Sequence, residues 1–223
     1  MTDAIFLSAS IPDPRRGLEY AETADTVAIT SAVSSLIHVT LGRRLLVWGG
    51  HPAITPMIWE ISDSLGLEYG AWVKLYQSTY FKDEFPEDNK RFQNVTYTDA
   101  VDKDRERSLS AMRERMFADH TFSAAVFIGG MKGIIDEYEL IHGMHPTAAI
   151  IPVMSTGGAT LEVGRRLGNV PHDLVDSLDY IALFHHHLGI PVREYRYRRP
   201  RDQPKDVEQR LWKPDDIRMP PKA

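Results

Sequence analysis

Short apolar runs alternate along the chain with longer stretches whose apolar residues recur every three or four positions. AIFLSAS (4–10), RLLVWGG (44–50), WVKLYQS (72–78), AAVFIGG (124–130) and TAAIIPVMS (147–155) are too short for helices and predict strands. NVTYTDA (94–100) predicts a further strand and VREYRYR (192–198) an edge strand. Helical spacing marks DTVAITSAVSSLIHVTLG (25–42), ITPMIWEISDSLGL (54–67), DKDRERSLSAMRERMFADH (102–120), a segment from about Ile134 to Gly143, a helix starting near Gly158, and DLVDSLDYIALFHHHLG (173–189). Strands that alternate with helices in this way build βαβ units, and continuous apolar strands suit a sheet covered on both faces. The predicted fold class is therefore α/β, a doubly wound, mainly parallel, Rossmann-like sheet. The polar stretch TYFKDEFPEDNKRF (79–92) predicts a long loop or lid. Residues 1–198 are expected to form one domain, and 199–223 an extended or disordered tail or one draped over a neighbour.

Composition narrows the function classes. At 223 residues with 43% hydrophobic content, the chain can bury a core without staples. It has no cysteine, which removes disulfides, thiolate metal sites and a cysteine nucleophile. The net charge of -5 argues against a nucleic-acid partner, since phosphate contacts need a basic footprint and only REYRYRRPR (193–201) supplies one. No apolar run approaches the roughly 18 residues of a membrane span, and MTDAIFLSAS lacks the pattern of a signal peptide. A cytoplasmic location is expected, with no membrane partner. His185, His186 and His187 leave their helix in different directions, so no metal site is predicted, and no cofactor.

Three glycine pairs stand at strand ends: Gly49-Gly50, Gly129-Gly130 and Gly157-Gly158. In a parallel sheet all carboxyl ends share one edge, where ligands bind. Glycine there permits tight turns and close approach of backbone N–H groups to an anion, and the helix that follows adds its positive end. Three pairs on one rim predict a phosphate-bearing ligand, although each alone serves equally as a turn. Ser8, Ser10, Thr156 and Thr160 sit beside these turns as hydroxyl donors or as caps. His51 is either a ligand donor or base, or a structural part of the turn before Pro52. Arg105 and Arg107 read as surface charge.

LSASIP, VWGGHPAITPMI, FIGGMKGIIDEY and PVMSTGGAT together resemble the SLOG (Smf/DprA–LOG) superfamily, whose LOG, or lysine-decarboxylase-like, members carry a PGGxGTxxE segment. The combination is similar to a branch of nucleotide-ligand sensors found beside TIR or Sir2-like proteins in antiviral systems. The resemblance covers residues 4 to 190 and implies a Rossmann-like fold, a nucleotide or NAD-derived ligand such as ADP-ribose, a homodimer or higher homo-oligomer, and a TIR or Sir2-like effector partner. LOG enzymes cleave the N-glycosidic bond of nucleoside 5′-monophosphates with a glutamate and an arginine. Those roles carry over to Glu137 and to Arg113, with Arg115 as second choice. Ile128 replaces the motif's proline, and Gly130-Met131-Lys132-Gly133 has one extra residue and no threonine. That insertion is expected to turn Asp136 and Glu137 by about 100° relative to the glycines, while Lys132 is an added phosphate contact.

Overall fold

The computed structural model describes residues 4–85 and 94–213. Six parallel strands, β1 (Ala4–Ser10), β2 (Leu45–Trp48), β3 (Val73–Ser78), β4 (Val95–Thr98), β5 (Phe122–Gly129) and β6 (Ala149–Val153), lie in the order β4-β3-β2-β1-β5-β6. The chain builds outward from β1 to β4, then crosses back to add β5 and β6 on β1's other side. That reversal puts a topological switch point at the carboxyl ends of β1 and β5, where such sheets open a crevice. The predicted doubly wound α/β fold is the one observed.

Helices cover both faces. A short α1 (Leu18–Ala21) precedes α2 (Thr26–Thr40), and α3 (Thr55–Ser64) and α4 (Tyr69–Trp72) precede β3. On the chain's later half, α5 (Arg105–Ala118), α6 (Lys132–Met144), α7 (Thr160–Leu167), α8 (His172–Asp176) and α9 (Tyr180–His187) follow. Alternation along β1 sends Ile5 and Leu7 into the core beneath α2, α3 and α9, and Ala4 and Phe6 into the core beneath α5, α6 and α7. Phe6 meets Phe117 of α5 edge-on, with ring centroids 4.8 Å apart. Asp25 caps α2 by accepting from the Val27 and Ala28 amides at 2.9 Å, and Asp104 caps α5 through the Arg107 amide at 2.8 Å. No helix among the described residues is long and apolar enough to cross a membrane.

Three elements differ from the sequence expectation. The segment 173–189 is two helices, because the Asp179 side chain caps a new one at the Ala182 amide. The stretch 79–92 begins as a 3₁₀ turn, Thr79–Glu84, and residues 86–93 lie outside the described ones. VREYRYR is no edge strand: Glu194 forms an isolated antiparallel bridge with Leu211. Residues 194–212 lie instead across the amino end of the sheet, the end away from the crevice. There the Tyr197 amide donates to the Gly42 carbonyl at 2.8 Å, and Trp72 Nε1 donates to the Tyr197 carbonyl at 2.8 Å. Two arginines of the basic run are engaged within the fold: Arg199 pairs with Glu68, and Arg196 donates to the Leu41 carbonyl.

Glu194 holds this end together. Its fully buried carboxylate pairs with Arg44 at 2.7 Å and Arg210 at 3.5 Å, and its carbonyl accepts from Arg43 Nε at 2.8 Å. Burial, then the neighbouring Arg196, push Arg43 down to about 10. Removing one partner of a buried pair strands the other charges. Glu194→Ala is therefore expected to lower the unfolding free energy by about 3–5 kcal/mol, read from urea denaturation.

Candidate functional site

The carboxyl ends of β1 and β2 and the start of α6 enclose a cavity of about 480 Å³, within the roughly 300–1,000 Å³ typical of small-ligand sites. Its floor is Ser8 and Ser10 from β1 and the Gly49-Gly50-His51 turn from β2; α6 supplies Lys132, Gly133, Asp136 and Glu137, and α5 supplies Arg113. Packing brings these groups together. Ser8 lies two residues beyond Phe6 on one face of β1, and Arg113 lies one turn before Phe117 on α5. The Phe6–Phe117 contact therefore delivers both polar residues to one wall.

Glu137 is fixed there from both sides. Ser8 Oγ donates to its Oε2 at 2.5 Å, and Arg113 Nε donates to its Oε1 at 3.1 Å. Arg113 also donates from Nη2 to the Gly133 carbonyl at 3.3 Å and lies 3.7 Å from Asp136. The Arg113 and Glu137 side chains are only 10% and 16% exposed, so water screens their pairing poorly. Despite the extra residue in the glycine segment, Glu137 points at the cavity. Asp136 lines it too and pairs with Lys132 at 3.6 Å. Arg115 does not join them; it pairs with Asp119 at 2.8 Å.

The glycine pairs divide in role. Gly49 and Gly50 line the cavity. Gly129 and Gly130 lie just behind it with every backbone polar group engaged. The Gly129 amide donates to Thr156 Oγ1 and its carbonyl accepts from Thr160 Oγ1, both at 2.9 Å. The Gly130 amide donates to the Ser10 carbonyl at 2.8 Å, and its carbonyl accepts from the Ala159 amide at 2.9 Å. The first turn of α6, which has no side-chain cap, follows, and its Lys132 and Gly133 line the cavity. Gly130 is required by its φ of +73° and by Ile134, whose Cδ1 would lie 2.0 Å from a Cβ there. Gly157 and Gly158 stand outside the cavity and seat the turn after β6 against the Thr23 loop. A Cβ on Gly157, at φ +69°, would lie 1.8 Å from the Thr23 carbonyl oxygen. Thr156 and Thr160, both fully buried, donate their hydroxyls to the Val153 and Gly129 carbonyls and do not line the cavity.

Arg16, Glu19, Tyr20 and Trp48 also line the cavity, and Arg105 lines it from α5 rather than standing as plain surface charge. Arg105 stands two turns before Arg113 with Leu109 between, a helical spacing that signals a shared face. Arg16 and Tyr20 come from a segment with no recognisable motif. Arg16 makes no ion pair among the described residues, whereas Arg105 pairs with Glu106 at 2.5 Å. His51 accepts from the Ala53 amide on Nδ1 at 3.2 Å, so its neutral ring carries the proton on Nε2. Burial, then Arg16, hold His51 below its ordinary value of 6.5, and burial does the same to His120.

Groups of this kind bind fewer protons folded than unfolded, so their stabilisation is complete above about pH 6.5 and declines as pH falls below it. His51→Gln is expected to flatten that decline between about pH 6.5 and pH 5 while leaving the share due to His120, as followed by melting temperature at stepped pH. Gly157→Ala is expected to cost at least about 2 kcal/mol through strained φ and backbone displacement, measured by chemical denaturation.

No match is found to any curated protein or to any solved structure. The family model described as the SLOG cluster3 family matches residues 19–188. That span holds the β2 turn, α5 and the whole of α6, and with them Arg113 and Glu137. The chain belongs to the SLOG cluster3 family.

Proposed function

We propose that the cavity binds a nucleotide through its phosphate and ribose, as the sensing site of a signalling protein. The observation that carries this reading is the fixed carboxylate of Glu137, held on the cavity wall by Ser8 and Arg113. A carboxylate so held has acceptor capacity left for ribose hydroxyls. The uncapped amino end of α6, with Lys132, suits a phosphate. Lys132 and Glu137 are five positions apart, about 7.5 Å along the axis, a span comparable to that between a 5′-phosphate and the ribose hydroxyls. Arg16, which makes no ion pair among the described residues, adds a second cation, and His51 a donor for a phosphate oxygen.

Membership in the SLOG cluster3 family supports a nucleotide-related ligand. The resemblance to sensors found beside TIR or Sir2-like proteins supports the finer reading: an ADP-ribose-like, NAD-derived ligand, a role in antiviral defence with such an effector, and a homodimer. A second reading is a nucleoside 5′-monophosphate N-glycosidase. It is favoured by the Arg113–Glu137 pair facing the cavity, since a carboxylate beside the sugar stabilises an oxocarbenium-like transition state and orients water.

One experiment separates the readings. The protein is incubated with AMP, ADP-ribose, cyclic ADP-ribose isomers or NAD, and melting temperature and ligand chemistry are followed together. A sensor is stabilised by an unchanged ligand, and Glu137→Gln weakens that binding by about 10- to 100-fold. Free base and ribose phosphate, lost in Glu137→Gln, would establish the enzyme instead. Stabilisation by none of these ligands sinks both readings.

A further inference from the structure

The three histidines that end α9 do different work. The helix closes in a Schellman arrangement: the Gly189 amide donates to the His186 carbonyl and the Ile190 amide to the His185 carbonyl, both at 3.2 Å, with Gly189 at φ +60°. His185 belongs to that cap, its Nδ1 lying 2.7 Å from the Ile190 carbonyl oxygen. His186 and His187 turn to α8 instead. His187 Nε2 lies 2.8 Å, and His186 Nδ1 3.4 Å, from one and the same oxygen, Oδ2 of Asp173.

Adjacent helical side chains leave the axis about 100° apart, which is why the sequence alone predicted no metal site. They converge here because one ring presents its near nitrogen and the other its far nitrogen to a carboxylate delivered by a different helix. The ligand atoms of Asp173, His186 and His187 all lie within 4.8 Å of one another. Around a tetrahedral zinc ion with bonds of about 2.0–2.1 Å, ligand atoms stand about 3.3 Å apart. The two observed separations from Oδ2, 2.8 and 3.4 Å, bracket that value.

We infer that Asp173, His186 and His187 form a binding site for a divalent transition-metal ion of zinc type, with a further position left for water. Two imidazoles and one carboxylate suit such an ion and not a hard cation such as calcium, which takes oxygen ligands only. The cap at Gly189 fixes the backbone that carries both rings. His187 is largely buried, and His186, 74% exposed, leaves the ion a path from solvent. The bound ion would clamp α8 to the end of α9. None of the three residues lines the cavity between α5 and α6, so this site stands or falls apart from the nucleotide reading.

The test uses the untagged full chain, stripped with EDTA and dialysed, then titrated with zinc chloride by calorimetry. Wild type is expected to bind one zinc per chain and to gain on the order of 5 °C in melting temperature at a hundredfold excess over Kd. His186→Gln removes a ligand from an exposed ring without touching the packing, and His187→Gln removes the second nitrogen; each is expected to weaken zinc at least about tenfold. His172→Gln, on a surface ring paired with Asp176, keeps full affinity. Zinc binding that is absent in wild type, unchanged in His186→Gln and His187→Gln, or lost in His172→Gln would overturn the assignment.

Discussion

The hydrogen bond from Ser8 to Glu137 joins the strand at which the order of strand addition reverses to the helix that follows the crossover. It forms only if β1 and β5 are in register, if α6 starts at the end of β5, and if α5 packs so that Arg113 can meet the same carboxylate. Each condition is met by apolar contacts: Phe6 against Phe117, and Phe127 of β5 against Tyr138 of α6 at 6.0 Å. The polar wall is thus a by-product of core packing on one face of the sheet. A carboxylate this little exposed would be a burden without its two donors. With them it is held in one position by groups from two other elements.

The period of the apolar residues was enough to read the sheet. All six strands fall on runs visible in the sequence; the inner ones carry the continuous apolar signature of burial on both faces, whereas the edge strand β4 is only partly buried. Glu137 and Arg113, named from the family resemblance, are the pair brought within 3.1 Å. The Gly49-Gly50-His51 turn and Ser8 also reach the cavity. What could not be read was which backbone groups were already taken. Three glycine pairs look alike in sequence, yet one lines the cavity, one has all its amides and carbonyls bonded behind it, and one packs on a loop from residue 23. A glycine required by a close approach and a glycine required by a ligand leave the same letter.

Other differences have the same origin in long-range partners. VREYRYR has strand-like composition, but Glu194 is drawn to Arg44, some 150 positions away, and the segment leaves the sheet edge to follow it. The break inside 173–189 is local, a capping aspartate in the midst of an apolar pattern, and a reading attentive to Asp179 would have found it. Arg16 and Tyr20 reach the cavity from a loop whose path depends on everything around it.

The strap of residues 194–212 sets an order on synthesis. Arg43 and Arg44 emerge from the ribosome early, just before β2, but the buried carboxylate beside them, Glu194, follows about 150 residues later. Until it arrives, the amino end of the sheet carries uncompensated guanidinium groups, and the tryptophan at Trp72 lacks the carbonyls that its indole N–H donates to. A chain that stops before residue 194 holds every strand of the sheet and lacks the groups to which Arg43, Arg44 and Trp72 are bonded. The strap thus couples distant parts of the sequence, because the amino end of the sheet is finished by residues that follow its last strand.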